Sequence, residues 1–204
     1  MDKETKFIVL VAIFITFLTT AILTGSKIIV FLGITFSAGT LPYSLTYLIT
    51  DTMCEVWGKT KTKQVVFSGL ISMLVMFLLI YIAIVSPSAS FWKLQTEYVE
   101  LFGTSLRLII AGIIAYIVSQ LHDVWAFSII KDKTKGKYLW LRNNISTVIS
   151  QLLNTIIMVL IGFYGSIPQT AIFSTIFGWW IIKIIFAIFD TPFVYLLVKW
   201  VNYK

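Results

Sequence analysis

Long apolar stretches recur along the chain with short polar breaks between them, and each is about the 20 residues that a helix needs to cross about 30 Å of hydrocarbon. The pattern predicts six spans, at about residues 7–24, 40–58, 64–85, 105–130, 142–164 and 170–198. Gly25, Ser26 and Lys27 stop the first, and Ser86, Pro87 and Ser88 stop the third. Pro42 fits the first turn of a helix, where its missing N–H would have had no partner, so the second span starts near Thr40. Between them, Ile34, Thr35, Phe36, Ser37 and Ala38 alternate apolar with small polar residues around Gly33. That alternation predicts a short extracellular β-hairpin at about 28–38, the alternative being one helix from Ile28 to Thr50. Residues 86–104 form an outer connection and Gly165–Pro168 a tight outer turn. The last apolar run, Thr170 to Trp200, is too long for a perpendicular span, so it tilts or breaks near Pro192.

Composition narrows the class. Of 204 residues 58% are hydrophobic and 12% charged, against roughly 25% charged in soluble domains. A soluble globule is excluded, and no room is left for a separate soluble catalytic domain. The expected fold is an all-α integral membrane protein, a single six-helix domain over residues 1–204. The net charge of +7 does not indicate nucleic acid, because the lysines stand in short clusters between apolar runs. Such clusters stay in the cytoplasm. With both termini inside, Lys3, Lys6, Lys59, Lys61, Lys63, Lys131, Lys133, Lys135, Lys137, Lys199 and Lys204 make eleven cytoplasmic lysines, against Lys27, Lys93 and Arg107 outside. Cys54 is the one cysteine, so no intramolecular disulfide forms. The N-terminal apolar run is longer than a signal peptide needs and lacks a small-residue cleavage site, so it reads as the first span.

The informative residues are those that a lipid-embedded helix should lack. A charged side chain at the centre of a span costs about 2.5–3.5 kcal/mol on insertion scales, so it should face a cavity or a partner. On span two, Tyr47, Asp51 and Glu55 stand at i, i+4 and i+8 on one face, with Ser44, Thr46 and Thr50 nearby. Span five carries Asn143, Thr147, Ser150, Gln151 and Asn154 at three-and-four spacing. Span four adds Ser119, Gln120, His122 and Asp123, and span six adds Lys183, Asp190 and Thr191. These groups could simply pair with one another to hold the bundle. Yet Asp51, Glu55, Asp123 and Asp190 outnumber the cations Lys183 and Arg142, and a polar cavity between spans two, four, five and six accounts for the surplus. The candidate substrate-binding set is Tyr47, Asp51, Glu55, Gln120, Asn143, Thr147, Gln151, Asn154 and Lys183; Arg142, His122, Asp123 and Asp190 are pairing candidates. Trp57, Tyr47 and Trp179 are candidates to stack on a planar ligand. His122 and Asp123 point about 100° apart on a helix and form no dyad with each other. Without paired cysteines, an H-E-x-x-H pair or a G-x-S-x-G elbow, no catalytic residue, metal or cofactor is expected.

The run Thr46, Tyr47, Asp51, Glu55, Val56, Trp57, Gly58 resembles the signature of the queuosine precursor transporter family, also called the vitamin uptake transporter family. Arg142, Asn143, Ser146, Thr147, Ser150 and Gln151 match its R-N-x-x-S-T-x-x-x-Q motif. Lys183, Thr191, Pro192 and Tyr195 resemble its last span, and Lys27, Gly33 and Gly39 also fit, so the likeness covers about residues 26–198. The resemblance implies an inner-membrane importer of 7-deazaguanine bases such as 7-cyano-7-deazaguanine, with a fold like the six-helix substrate-binding components of energy-coupling factor transporters. A guanine-like ring would offer N–H groups to Asp51 or Glu55 and a carbonyl to Gln151, Asn143, Asn154 or Lys183. The implied partners are this nucleobase-like substrate and the lipid bilayer, with no nucleic acid; a homo-oligomer and a separate energising module stay open. A membrane-embedded enzyme acting on a lipid is the reading of a different class. The chain departs from the family pattern at Trp57, where Tyr is usual, at Ser26, where Asn is usual, and at Asn154, where Asp is usual. The last exchange implies a preference for a neutral substrate.

Overall fold

A computed structural model of the chain describes residues 1–31, 33–103, 106–162, 165 and 168–203. The expected helix limits at Ser105 and Tyr164, part of the turn after Gly165, and the tail lysine Lys204 lie outside the described residues. The elements are α1 (Lys3–Leu23), β1 (Ile28–Phe31), β2 (Ile34–Ser37), α2 (Thr40–Val85), α3 (Gln95–Phe102), α4 (Leu106–Lys133), α5 (Leu139–Ile157), continued by a π-helical turn at Met158–Gly162, and α6 (Gln169–Asn202). All but the short α3 among these α-helices are long and apolar enough to cross a membrane, five in number.

α1 starts on an N-cap, Asp2, whose carboxylate accepts the Thr5 N–H at 2.7 Å. Leu10, Phe14, Leu18 and Ala21 recur at three and four residues and bury one face of the helix. β1 and β2 pair antiparallel, Ile28 opposite Ser37 and Phe31 opposite Ile34. The Ser37 hydroxyl donates to the Gly25 carbonyl at 2.7 Å, tying the strands to the end of α1.

α2 corrects the expected boundary between the second and third spans. The helix does not give way to a loop at 59–63; it is broken at one residue, Gly58, with φ 80° and ψ 172°. That conformation suits glycine, and it reverses the chain. α1 records the reversal along its length. Gly39 backs onto the Ala21 carbonyl and Trp57 meets Phe7, so the first arm of α2 runs antiparallel to α1. Lys61 then meets Phe7, and Gly69 backs onto Phe14 and Leu18, so the second arm runs parallel to it.

Three further departures have local causes. The connection after Val85 is not all loop: it contains α3, held where the Gln95 side chain donates to the Ile84 carbonyl at 3.1 Å. α5 begins at Leu139, before Arg142, after three residues of positive φ, Lys135, Gly136 and Tyr138. α6 continues through Pro192, so of the two expected alternatives the helix does not break there; at about 51 Å for 34 residues it exceeds the hydrocarbon thickness.

The helices converge at one end. Lys6 Nζ on α1 donates to the carbonyls of Trp200, Val201 and Tyr203 at 2.9, 3.3 and 2.7 Å, capping α6 and bringing the chain termini together. The Gly58 break, the end of α4 and the start of α5 meet at the same end, where Lys131 and Arg142 both reach Glu55. α4 packs on α5 and on α2, and α6 packs on α5 and α2, so four helices enclose a common interior.

Candidate functional site

Polar residues fill that interior. The first arm of α2, α4, α5 and α6 each contribute a row, and Thr46, Tyr47, Thr50, Asp51, Ser119, Gln120, Asp123, Asn143, Thr147, Ser150 and Gln151 are all at most 1% exposed. Periodicity places them there: Tyr47 and Asp51 are one turn apart on α2, and Asn143, Thr147 and Gln151 lie one turn apart on α5.

At its centre the Thr147 hydroxyl stands 3.3 Å from Asp51 Oδ2 and 3.4 Å from Asp123 Oδ1, so one α5 side chain touches a carboxylate from each flanking helix. Gln120 Nε2 donates to Thr46 Oγ1 at 2.8 Å, and Thr50 donates to Gln120 Oε1 at 3.4 Å. Towards the hairpin end, Lys183 Nζ donates to Asn154 Oδ1 at 2.7 Å and to Thr155 Oγ1 at 3.0 Å. Asn154 Nδ2 in turn donates to Tyr43 Oη at 2.8 Å and to Ser119 Oγ at 3.4 Å. Towards the lysine-rich end, Asn143 Nδ2 donates to Asp190 Oδ1 and to Thr191 Oγ1 at 3.4 and 3.3 Å.

Several of these groups keep unused hydrogen-bonding capacity. Among the described residues, Tyr47 Oη, Asp51 Oδ1, Asp123 Oδ2, Asn143 Oδ1 and both amide atoms of Gln151 are buried without a partner. In a lipid-spanning bundle no solvent compensates them, and each such group carries a desolvation cost of about 1–3 kcal/mol. They offer acceptors from two carboxylates and two amides, donors from an amide and a hydroxyl, all on facing helices.

The structure sorts the expected set. Tyr47, Asp51, Gln120, Asn143, Thr147, Gln151, Asn154 and Lys183 line the interior. Glu55 departs from the others: its Oε2 accepts from Arg142 Nη2 at 2.6 Å and from Lys131 Nζ at 3.1 Å, and Lys131 also donates to the Glu55 carbonyl at 2.6 Å. Arg142 Nη1 completes the knot on the Gly136 and Lys137 carbonyls. Glu55 therefore pairs rather than offering a free carboxylate, because two cations from α4 and α5 reach it before the interior does. His122 Nδ1 lies 2.9 Å from Ser150 Oγ, and Asp190 lies under Asn143. Trp57 does not face the interior. It packs edge-on against Phe7 with Lys3 over its ring, at the lysine-rich end.

The polar groups touch one another across the helices and are sealed from solvent. An apolar groove of about 560 Å³ lies between α1, the second arm of α2 and α3, lined by Ile15, Leu23, Ile71, Val75 and Tyr98 among others. Tyr43 and Thr155 join the network although neither belongs to the expected set. Both are legible in hindsight: Tyr43 stands one turn before Tyr47 on α2, and Thr155 one turn after Gln151 on the α5 polar stripe.

A polar row on each of four helices, meeting inside an apolar bundle, marks a candidate functional site of a membrane protein. The "Putative vitamin uptake transporter" family matches residues 37–197, which include every residue of this interior. The chain belongs to that family. Over 170 residues, 83% of this chain and 74% of the other, it is 27% identical to a protein of Bacillus subtilis (strain 168) named "Probable queuosine precursor transporter". No solved structure matches it. The vitamin uptake transporter match and the long apolar helices make it a multi-pass membrane transporter.

Proposed function

We propose that this chain imports queuosine precursors, 7-deazaguanine bases such as 7-cyano-7-deazaguanine, across the inner membrane. The observation that carries the reading is the set of unpartnered polar atoms on Tyr47, Asp51, Asp123, Asn143 and Gln151. A guanine-like edge carries adjacent N–H donors and a carbonyl acceptor. Asp51 would take the donors, Gln151 Nε2 would meet the carbonyl, and Tyr47, edge-on to Tyr43 at 5.8 Å, would border the ring. Asn143, Thr147, Gln120, Asn154 and Lys183 would shape the remainder. The relative's name and the family support the same substrate class.

The topology follows from the same reading. The two arms of α2 count as separate spans, giving six in a single domain. The lysine-rich end faces the cytoplasm with both termini, and the β1–β2 hairpin lies outside. The sealed interior is then a closed state. Substrate gains access only when helices part at one end, and the Glu55–Arg142–Lys131 knot closes the cytoplasmic side. No catalytic step is needed.

The test is ligand-dependent stability of the purified protein. 7-cyano-7-deazaguanine should raise the melting temperature and adenine, which lacks the adjacent donor edge, should not. Equal shifts with both, or none with either, would overturn the assignment of the substrate. In a strain that depends on import, Asp51→Asn and Gln151→Ala should each lower cellular queuosine.

A further inference from the structure

Buried charge in the interior does not balance. Asp51 on α2 and Asp123 on α4 are 1% and 0% exposed, and both lie against one Thr147 hydroxyl. That hydroxyl has a single proton and can satisfy one carboxylate at a time. The neighbouring cations are engaged elsewhere: Arg142 and Lys131 on Glu55, Lys183 on Asn154 and Thr155. Among the described residues neither Asp51 nor Asp123 has an ion-pair partner. The other titratable groups around the pair are Tyr43, Tyr47 and Cys54 on α2, His122 on α4 and Asp190 on α6; none supplies a cation in contact, and Asp190 adds a third carboxyl. Two like charges held together away from water cannot both ionise. A second observation points the same way to a ligand: one turn beyond Thr147, Gln151 is wholly buried with both amide atoms free.

We propose that Asp51 and Asp123, bridged by Thr147, form a binding site for one proton, which travels inward with each molecule of substrate. The proposal rests on the import reading above. In the closed state one carboxyl is protonated and the other ionised. The O–H bond forms when the pair faces outside water and breaks when it faces the cytoplasm, so a neutral base enters together with one positive charge. A proton fits better than a metal ion, since among the described residues no group of three or more His, Cys, Asp or Glu side chains converges.

Proteoliposomes of the full chain, loaded with a pH-sensitive dye and given labelled 7-cyano-7-deazaguanine without any gradient, test the coupling. The proposal expects internal acidification at about one proton per substrate, and Asp123→Asn should abolish the acidification. Substrate entry with no pH change, or entry that needs sodium, overturns the proton site and leaves import standing; no substrate entry overturns import and the coupling with it. Infrared spectroscopy reads the shared proton without transport. At neutral pH the carbonyl band of a protonated carboxylic acid should be present and should vanish in both Asp51→Asn and Asp123→Asn while persisting in Asp190→Asn. A wild-type spectrum without a band removed by either substitution contradicts the proposal.

Discussion

Replacing Glu55 with Gln removes the one carboxylate shared by Arg142 and Lys131 while leaving shape nearly unchanged. Arg142 is 1% exposed and makes its shortest contact, 2.6 Å, with Glu55 Oε2. Its remaining bonds to the Gly136 and Lys137 carbonyls satisfy donors but carry no opposing charge. Stripping one partner from a buried pair costs about 3–5 kcal/mol. Glu55 and Lys131 side chains keep 18% and 29% of their exposure, so water recovers part of the loss and the lower end, about 3 kcal/mol, applies. Cys54 provides the assay. It is the only thiol in the chain, 2% exposed and one residue from the pair, so its labelling by a thiol-reactive fluorophore reports opening of the bundle. At tenfold per 1.4 kcal/mol, Glu55→Gln should label about 100 times faster than wild type. Glu55→Asp, which keeps the charge with a shorter reach, should fall between. The double variant Glu55→Gln with Arg142→Met should lose less than the two single losses together, by at least about 1 kcal/mol, because it leaves no buried cation alone. Labelling of Glu55→Gln within threefold of wild type would refute the reasoning.

Other consequences are more local. Asn154→Asp sets a carboxylate where Lys183 Nζ now meets an amide oxygen at 2.7 Å, and Tyr43 can turn its hydroxyl to donate; a charge-assisted bond gains about 1 kcal/mol, seen as slower Cys54 labelling. Lys6→Met removes the ammonium that caps three carbonyls at the end of α6, and amides of its last turn should exchange about tenfold faster, for a loss of about 1–2 kcal/mol. The Thr5 hydroxyl and, after it, the Thr5 N–H hold the Asp2 carboxyl below the usual carboxylate range. Its cap is therefore complete at neutral pH and lost as pH falls through that lowered value, so Thr5 amide protection should drop in acid in wild type and stay flat in Asp2→Asn.

What the sequence made legible is what lipid punishes. Asp51, Asn143, Thr147 and Gln151 stand out because polar side chains are costly in a span, and helical spacing puts each row on one face. The beginning of α2 at Thr40 could be read from Pro42 and the lysine clusters from their contrast with apolar runs. Pairwise choices were not legible. Nothing in spacing tells that Glu55, in line with Asp51, is taken by Arg142 and Lys131, since that depends on where two other helices end. Gly58 read as a stop, yet the chain turns on its positive φ alone and resumes as helix through Lys59 and Lys61. Nor could residue types reveal how closely the four polar rows meet, because that depends on how the helices pack.

The most direct measurement is uptake of labelled 7-cyano-7-deazaguanine by proteoliposomes containing this chain alone. Saturable entry in wild type, strongly reduced by Asp51→Asn and by Gln151→Ala in folded protein, is the predicted result. Entry that begins only when another protein is added, or that proceeds equally in both variants, would contradict the account.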